Sequence, residues 1–455
     1  MPQMSRVGGE QGGVEAGSDD GSRAGWAFGR QLRVLGLVVG LAACAEEPGP
    51  PENLILISVD TLRADHLGSY GHPWVKTPYI DALAEEGVRF DRVVSAAPTT
   101  LASHTSMMTG TWPHTHGVPD NGYRVAPGNR MLAEILHDAG FRTAGRVGGY
   151  PLGRQTGFDQ GFESYEWVNV PEANEHNGRE VSEAALAWLD RRPPGRFFLF
   201  VHYWDVHWPY SPPPPWNAMY RDDDLELKGV KAEIDATRVS LREHRPDAAE
   251  RSRALAHLYA GGVSFADAQV GLLLDGLRER ALLDRSLLVL TSDHGEAMDE
   301  HGAEYWNHGN TLYETVARVP LIVRLPDAVR GGRSEDWLLS SVDLVPTLLE
   351  LLGLSASEGL AGESFADSLL GRSVWLGRGA VFSQATKPHG AEVEAGRHWR
   401  NLDKCRAIWE GEWKLQECPL RGRKELYDLG ADAGERDNRL VGGHCDTAAN
   451  NNGLT

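Results

Sequence analysis

The sequence predicts an α/β fold: a large, mostly parallel sheet with helices on both faces, followed by a smaller region of short strands. Two observations predict the large sheet. Over the first three-quarters of the chain, short continuously apolar runs alternate with longer segments of helical spacing, the pattern of a parallel sheet covered by its crossover helices. Some of those runs end in Asp, His or Ser, where open α/β sheets place their ligands. A third observation, a change of texture near Ser373 to strand-like pieces of a few residues, sets off the smaller region.

Taken in order, Arg30 and Arg33 precede an apolar run over 34–43 that is too short to span a bilayer and closes on Leu41-Ala42-Ala43-Cys44. That tetrapeptide is similar to a bacterial lipobox. Residues 1–43 are therefore expected to be a lipoprotein signal segment, with Cys44 acylated and 44–52, rich in proline, a tether. The protein is then exported and lipid-anchored in the bacterial cell envelope. Residues 53–59 read as a buried strand ending in Asp60, 77–87 as a helix with Ile80, Leu83 and Ala84 on one face, and 88–94 as a second strand. A short helix is expected over 103–109, with Thr99 and Thr100 as caps and Gly110 as its stop. Beyond it come a helix over 129–139, a strand over 142–147 and a helix over 180–189. The strand RFFLFVHY (196–203) then delivers Asp205 and His207.

Pro212 to Pro215 and the charged stretch 221–245 read as a surface excursion, and 248–280 as a long helix with an expected kink at Gly261-Gly262. The strand LLVLT (287–291) delivers Ser292-Asp293-His294-Gly295-Glu296. A helix-to-strand pair over 313–325 and an amphipathic helix over 342–352 follow. The short strands of the last part are expected at 380–383, 407–415 and 425–429.

At 455 residues the chain can bury a large core, and its net charge of −19 argues against a phosphate-backbone partner, so nucleic acid is excluded. A local cationic pocket for a small anion stays open. No zinc spacing occurs among the four cysteines. Cys405 and Cys418 flank the strand at 407–415, so a disulfide between them would suit an oxidising compartment, and Cys445 is left over.

The chemistry gathers around Ser95 to Gly117, SAAPTTLASHTSMMTGTWPHTHG, which presents a hydroxyl at the mouth of a helix, where free N–H groups favour a sulfate or phosphate oxygen. Asp60 and the Asp293-His294 pair arrive from two distant strand ends. Oxygen ligands with one imidazole suit Ca²⁺, Mg²⁺ or Mn²⁺. An aspartate after a strand also serves as a helix cap, and one before glycine as a turn residue. Both together, each after an apolar run, favour the metal. Met107 and Met108 read as packing.

The segment Thr100-Leu101-Ala102-Ser103-His104-Thr105-Ser106-Met107-Met108-Thr109-Gly110 resembles the signature of the sulfatases and their phosphonate- and phosphoester-cleaving relatives in the alkaline phosphatase superfamily, C/S-x-P-S-R, a small residue, then S-L-L-T-G. The contexts ISVDTLRADHLG and LTSDHGE, and Asp205 to Tyr210 as D-x-H-x-P-Y, resemble the same family. The resemblance implies a catalytic domain over 53–372 and a small antiparallel C-terminal subdomain over 373–455. It also implies one divalent ion held by Asp60, Thr100, Asp293 and His294, with His207 and His308 acting on the leaving group. His104, His114, His116 and Asn121 are the expected substrate contacts, and Arg63 is expected to orient Asp60 or the Thr100 loop. The departures are Thr100 for the Cys or Ser that becomes formylglycine, Ala102 for Pro, His104 for Arg, and Thr61 for a second Asp.

A formylglycine hydrate releases sulfate by collapsing to the aldehyde, which threonine cannot do. A covalent ester on Thr100 needs a second in-line displacement, the route of the phosphate-cleaving members. Three readings follow. The first is a metal-dependent hydrolase of a sulfuric, phosphate or phosphonate ester with Thr100 as nucleophile. The second is a phosphodiesterase or phospho-group transferase acting on envelope lipids or glycans. The third is a non-catalytic anion-binding lipoprotein. The expected partners are a small anionic ester and, through the lipid on Cys44, the membrane; no protein partner is inferred.

Overall fold

The computed structural model describes residues 49–169, 176–221, 230–301, 305–356, 358–386 and 405–440. The signal segment, Cys44 and Cys445 lie outside the described residues. Among the described residues no helix is long and apolar enough to cross a membrane.

Eight strands form the large sheet: β1 (Asn53–Val59), β2 (Val88–Val94), β3 (Arg142–Val147), β4 (Ser164–Trp167), β5 (Phe197–Tyr203), β6 (Ser286–Thr291), β7 (Arg318–Arg324) and β8 (Arg333–Ser340). Their order is β4-β3-β5-β1-β6-β7-β2-β8. Every pairing is parallel except the two that β7 makes, with β6 and β2. β1 is central and wholly buried, as its largely apolar sequence requires. Its register sets Val59 opposite Tyr203 of β5 and Ser58 opposite Thr291 of β6, so the residues that follow all three strands emerge at one end of the sheet.

A separate core covers each face. Ile55, Ile57 and Val59 of β1 join one cluster with the long helix, while Leu54 and Leu56 join the other with Met107 and Met108 of the Thr100–Thr109 helix. This is the alternation of a strand buried on both sides.

The long helix Ala248–Glu279 runs through Gly261-Gly262 without a break in its helical backbone. Close packing accounts for the glycines. A Cβ on Gly261 would sit 2.4 Å from the Trp216 carbonyl oxygen, and one on Gly262 would sit 3.0 Å from that of Asp205. The pair lets the helix press against the chain on either side of His207.

The second sheet has the order β12-β11-β10-β9, from β9 (Val381–Ala385), β10 (Cys405–Glu410), β11 (Trp413–Cys418) and β12 (Arg423–Asp428), and is antiparallel throughout. The single strand expected over 407–415 is a hairpin. Glu410 pairs with Trp413 and Gly411 turns at φ 56°. Cys405 and Cys418 face each other across that hairpin and are joined by a disulfide. Lys414 of β11, fully buried, reaches the Leu312 carbonyl at 2.6 Å, Glu314 at 3.1 Å and Glu435 at 2.6 Å. The small sheet thereby grips the chain just after His308.

Asp267 on the long helix accepts the Ile80 N–H at 2.8 Å at the start of the Pro78–Glu86 helix. Burial, with a contribution from Asp81, pushes its carboxyl up to about 7. A folded-state value above the unfolded one means that the native state holds the proton longer, so this group lowers stability as pH rises from about 4 to about 7. The slope is roughly 1.4 kcal/mol per pH unit. Asp267→Asn removes that titration and keeps an acceptor. Denaturation of both proteins at pH 5 and pH 8 is expected to show a smaller loss in the variant; equal losses would contradict the assignment.

Candidate active site

At the carboxyl ends of β1 and β6, Asp60, Asp293 and His294 each bring one ligand atom within 4.8 Å of the others, and all three are buried. Each has an atom with no hydrogen-bond partner: Asp60 Oδ1, Asp293 Oδ2 and His294 Nε2. Thr100, the first residue of its helix, has an equally buried and unpartnered Oγ1, and its hydroxyl favours the charged form of the Asp60 carboxyl beside it. The helix starts three residues earlier than the expected 103, so Thr100 stands inside its first turn and Thr99 is the extended N-cap.

Orphaned polar atoms in an interior cost free energy unless something pairs with them. His294 Nδ1 faces the Gly295 carbonyl at 2.9 Å and must donate to it, which leaves the lone pair on Nε2, 3.3 Å from Asp293 Oδ2. Two acceptors facing each other across that gap call for a cation. The Asp60 carboxyl is pushed well up by burial and then by the Asp293 charge. Two carboxylates, an imidazole nitrogen and a hydroxyl with these atoms unsatisfied fit a hard divalent ion.

Three chain segments are tied together at this point. Asp293 Oδ1 accepts the N–H of Thr61 at 3.2 Å and of His294 at 2.9 Å, and Ser292 Oγ accepts that of Leu62 at 3.1 Å. Thr61 is held at φ 55°, costly for a β-branched residue, with its carbonyl bound by Tyr259 at 2.7 Å. The Asp293 carbonyl accepts from Ser95 and, at 2.7 Å, from Ser103, so the Thr100 helix hangs on the β6 loop. The Arg63 guanidinium pairs with Asp65 and Glu300 and donates to the Glu296 carbonyl at 3.1 Å. Its role is to join the β1 loop to the β6 loop.

His104 is fully buried. Its Nδ1 donates to the Thr100 carbonyl at 2.8 Å and its Nε2 meets Ser58 Oγ at 2.9 Å. Both nitrogens are engaged by the protein, which makes it a support behind Thr100. His116 is similar, accepting the Val118 N–H and bonding Ser106 at 2.9 Å. Asn121 Oδ1 accepts the Leu101 N–H at 2.8 Å and caps the helix, while His114 faces Gln384 of β9. The structure does not bring His114 or His116 into the carboxylate cluster.

His207 stacks on Trp204 with ring centroids 3.7 Å apart and donates Nδ1–H to the Trp208 carbonyl at 2.6 Å. Its ring centroid is 5.2 Å from that of His308, which is 4.4 Å from that of His294. Mutual bonds between Ala297 and Asn307 form a ribbon that sets His308 beside Glu296, with Nδ1 3.2 Å from Oε1. Tyr210 fixes that glutamate at 2.8 Å.

Sequence reasoning missed His202, Glu296, Ser103 and Tyr259. His202 Nε2 lies 3.2 Å from Asp60 Oδ2, and burial lowers its pKa to about 4, which keeps it neutral. Its signal was present: it is a polar residue near the end of the otherwise apolar strand FFLFVHY.

Residues 52–354 match the family model described as Sulfatase, and residues 300–448 match the one described as N-sulphoglucosamine sulphohydrolase, C-terminal. The chain is 27% identical over 460 residues to an arylsulfatase of Clostridium perfringens (strain 13 / Type A), spanning 85% of this chain and 90% of that protein. It is 26% identical over 396 residues to a multifunctional alkaline phosphatase superfamily protein of Trinickia caryophylli, spanning 69% of this chain and 76% of that protein. The fold is similar to that of the phosphonate monoester hydrolase of Agrobacterium radiobacter, with a TM-score of 0.69, 23% identity, and coverage of 85% of this chain and 91% of that one.

Removing one of two buried like charges should stabilise the metal-free protein. Thermal denaturation is expected to show Asp60→Asn more stable than wild type in chelator. In saturating Ca²⁺, Mg²⁺ or Mn²⁺ the order reverses, because wild type gains about 2.7 kcal/mol at a hundredfold excess over Kd and the variant does not. A wild type indifferent to all three ions would contradict the cation site.

Proposed function

This chain belongs to the sulfatase family, and from that premise we propose that it hydrolyses an anionic ester through a covalent ester on Thr100, with a phosphorus-centred substrate favoured. Sulfuric or phosphoester hydrolysis is the activity class of the family; the nucleophile and the attacked atom are the proposal. The observation that carries it is the unpartnered Thr100 hydroxyl at a helix start, beside Asp60 and among the orphaned atoms of Asp293 and His294.

In the first step the Thr100 Oγ1–P bond forms as the P–O bond to the alcohol breaks. The Oγ1 proton is given up and the leaving oxygen gains one. His207, with its lone pair on Nε2, and His308, backed by Glu296, are the side chains placed to carry these protons. A divalent cation held by Asp60, Thr100, Asp293 and His294 would lower the hydroxyl pKa and offset charge on the ester. Water then attacks phosphorus, the Oγ1–P bond breaks, and threonine is regenerated. A sulfate ester is the second reading, supported by the likeness to the arylsulfatase. Export with a lipid on Cys44 is supported by the Cys405–Cys418 disulfide, which persists in an oxidising compartment.

Purified protein is to be offered 4-nitrophenyl sulfate and bis(4-nitrophenyl) phosphate with each cation. Turnover of the phosphate ester is expected, with Thr100→Ala slower by roughly three orders of magnitude or more and still folded, and Thr99→Ala active. Acid quenching should trap a 4-nitrophenyl phosphate group on Thr100. Turnover of the sulfate alone would overturn the phosphorus assignment. Full activity in Thr100→Ala would overturn the nucleophile. Turnover of neither favours the binding protein.

A further inference from the structure

At the opposite end of β1 from the cluster, a cavity of about 460 Å³ opens between Glu52 and Asn53, the 192–196 turn and Arg285. Three guanidiniums line it, those of Arg192, Arg196 and Arg285, with Glu52 as the carboxylate among the lining residues. Glu52 is taken by Arg285, whose Nε is 2.9 Å from Oε1. Arg196 spends its donors on the carbonyls of Pro51, Glu52 and Leu352, and the Glu52 carboxylate, already paired with Arg285, offsets only part of its charge. Arg192 lies 4.6 Å over the Phe197 ring, and its Nε is buried without a hydrogen-bond partner. Burial and the neighbouring Arg285 charge both lower its pKa, as expected of cations held together. Of the nearby acids, Asp190 offsets part of the Arg192 charge while gripped by Arg280 at 2.8 Å through both oxygens, and Asp284 is paired with Arg324.

This cluster of arginines sits in a chain of net charge −19, so it can attract an anion locally against the overall charge. It also sits where the chain departs toward Cys44. Gly49 is five residues beyond that cysteine, a reach of about 17 Å at full extension. A lipid on Cys44 therefore keeps the cavity close to the membrane surface.

We propose that this cavity binds the phosphate of an anionic phospholipid headgroup in the membrane that anchors the chain. The proposal rests on the reading of Cys44 as the lipid-bearing residue and is independent of the catalytic assignment. Arginine donors suit a phosphate through their planar fork. The second contact orients the protein, fixing the base of the sheet toward the bilayer and the catalytic end away from it.

The test uses the full chain carrying Cys44→Ser, which cannot be acylated, in co-sedimentation with vesicles of phosphatidylglycerol or phosphatidylcholine at low salt. Binding to phosphatidylglycerol alone is expected, weakened by salt, reduced about fivefold by Arg192→Ala and less than that by Arg192→Lys, which keeps the charge but not the fork. Thermal denaturation of each variant checks folding. Equal binding to both lipids, or phosphatidylglycerol binding unchanged in folded Arg192→Ala, would overturn the proposal. So would a site that takes inorganic phosphate by calorimetry and ignores the vesicles.

Discussion

Two carboxylates, Asp60 and Asp293, are buried within reach of one another at the end of a sheet, met by the imidazoles of His202, His104 and His294. That arrangement is expensive, and much of the surrounding structure exists to hold it in place. Arg63 bridges the two loops that carry them, Ser103 and Ser95 suspend the Thr100 helix from the Asp293 carbonyl, and Tyr259 pins Thr61 in a strained conformation. Each tie satisfies a backbone group that would otherwise be buried unpaired. Beside them, Asp60 Oδ1, Asp293 Oδ2, His294 Nε2 and Thr100 Oγ1 have no hydrogen-bond partner. A divalent ion is the natural completion of such a set.

Much of the fold was legible because its strongest signals are local. β1, β5 and β6 are largely apolar runs, and each is buried end to end. The edge strands were not legible: β4 has four residues, and β8 alternates half-buried and exposed positions before its last three, a texture shared with surface loops. The strand expected at 407–415 failed for a related reason. Gly411 gave the only sign of a turn, and a lone glycine inside a strand pattern also marks a bulge. Gly261-Gly262 marked a real feature whose cause lies in the third dimension, the approach of a carbonyl from another element.

The site divides the same way. Asp60, Asp293 and His294 could be found because each closes an apolar run. His104 and His116 could be noticed but not placed, since sequence does not say whether a ring nitrogen meets a ligand or a buried hydroxyl. Here both rings meet hydroxyls and backbone, and both are lowered to about 3 by burial, so they serve as neutral struts. His202 and Glu296 act through contacts 142 and 12 residues away in sequence, which no local pattern discloses.

At Thr100, as at Thr61, Ala102 and His104, the sequence departs from the signature of the formylglycine sulfatases. The claim on which the account turns is that the four unpartnered atoms share one ion. Anomalous diffraction from crystals soaked in Mn²⁺ addresses it most directly. The account predicts one peak within bonding distance of Asp60 Oδ1, Thr100 Oγ1, Asp293 Oδ2 and His294 Nε2; a filled soak with no peak among them, or with the ion bound elsewhere, would contradict it.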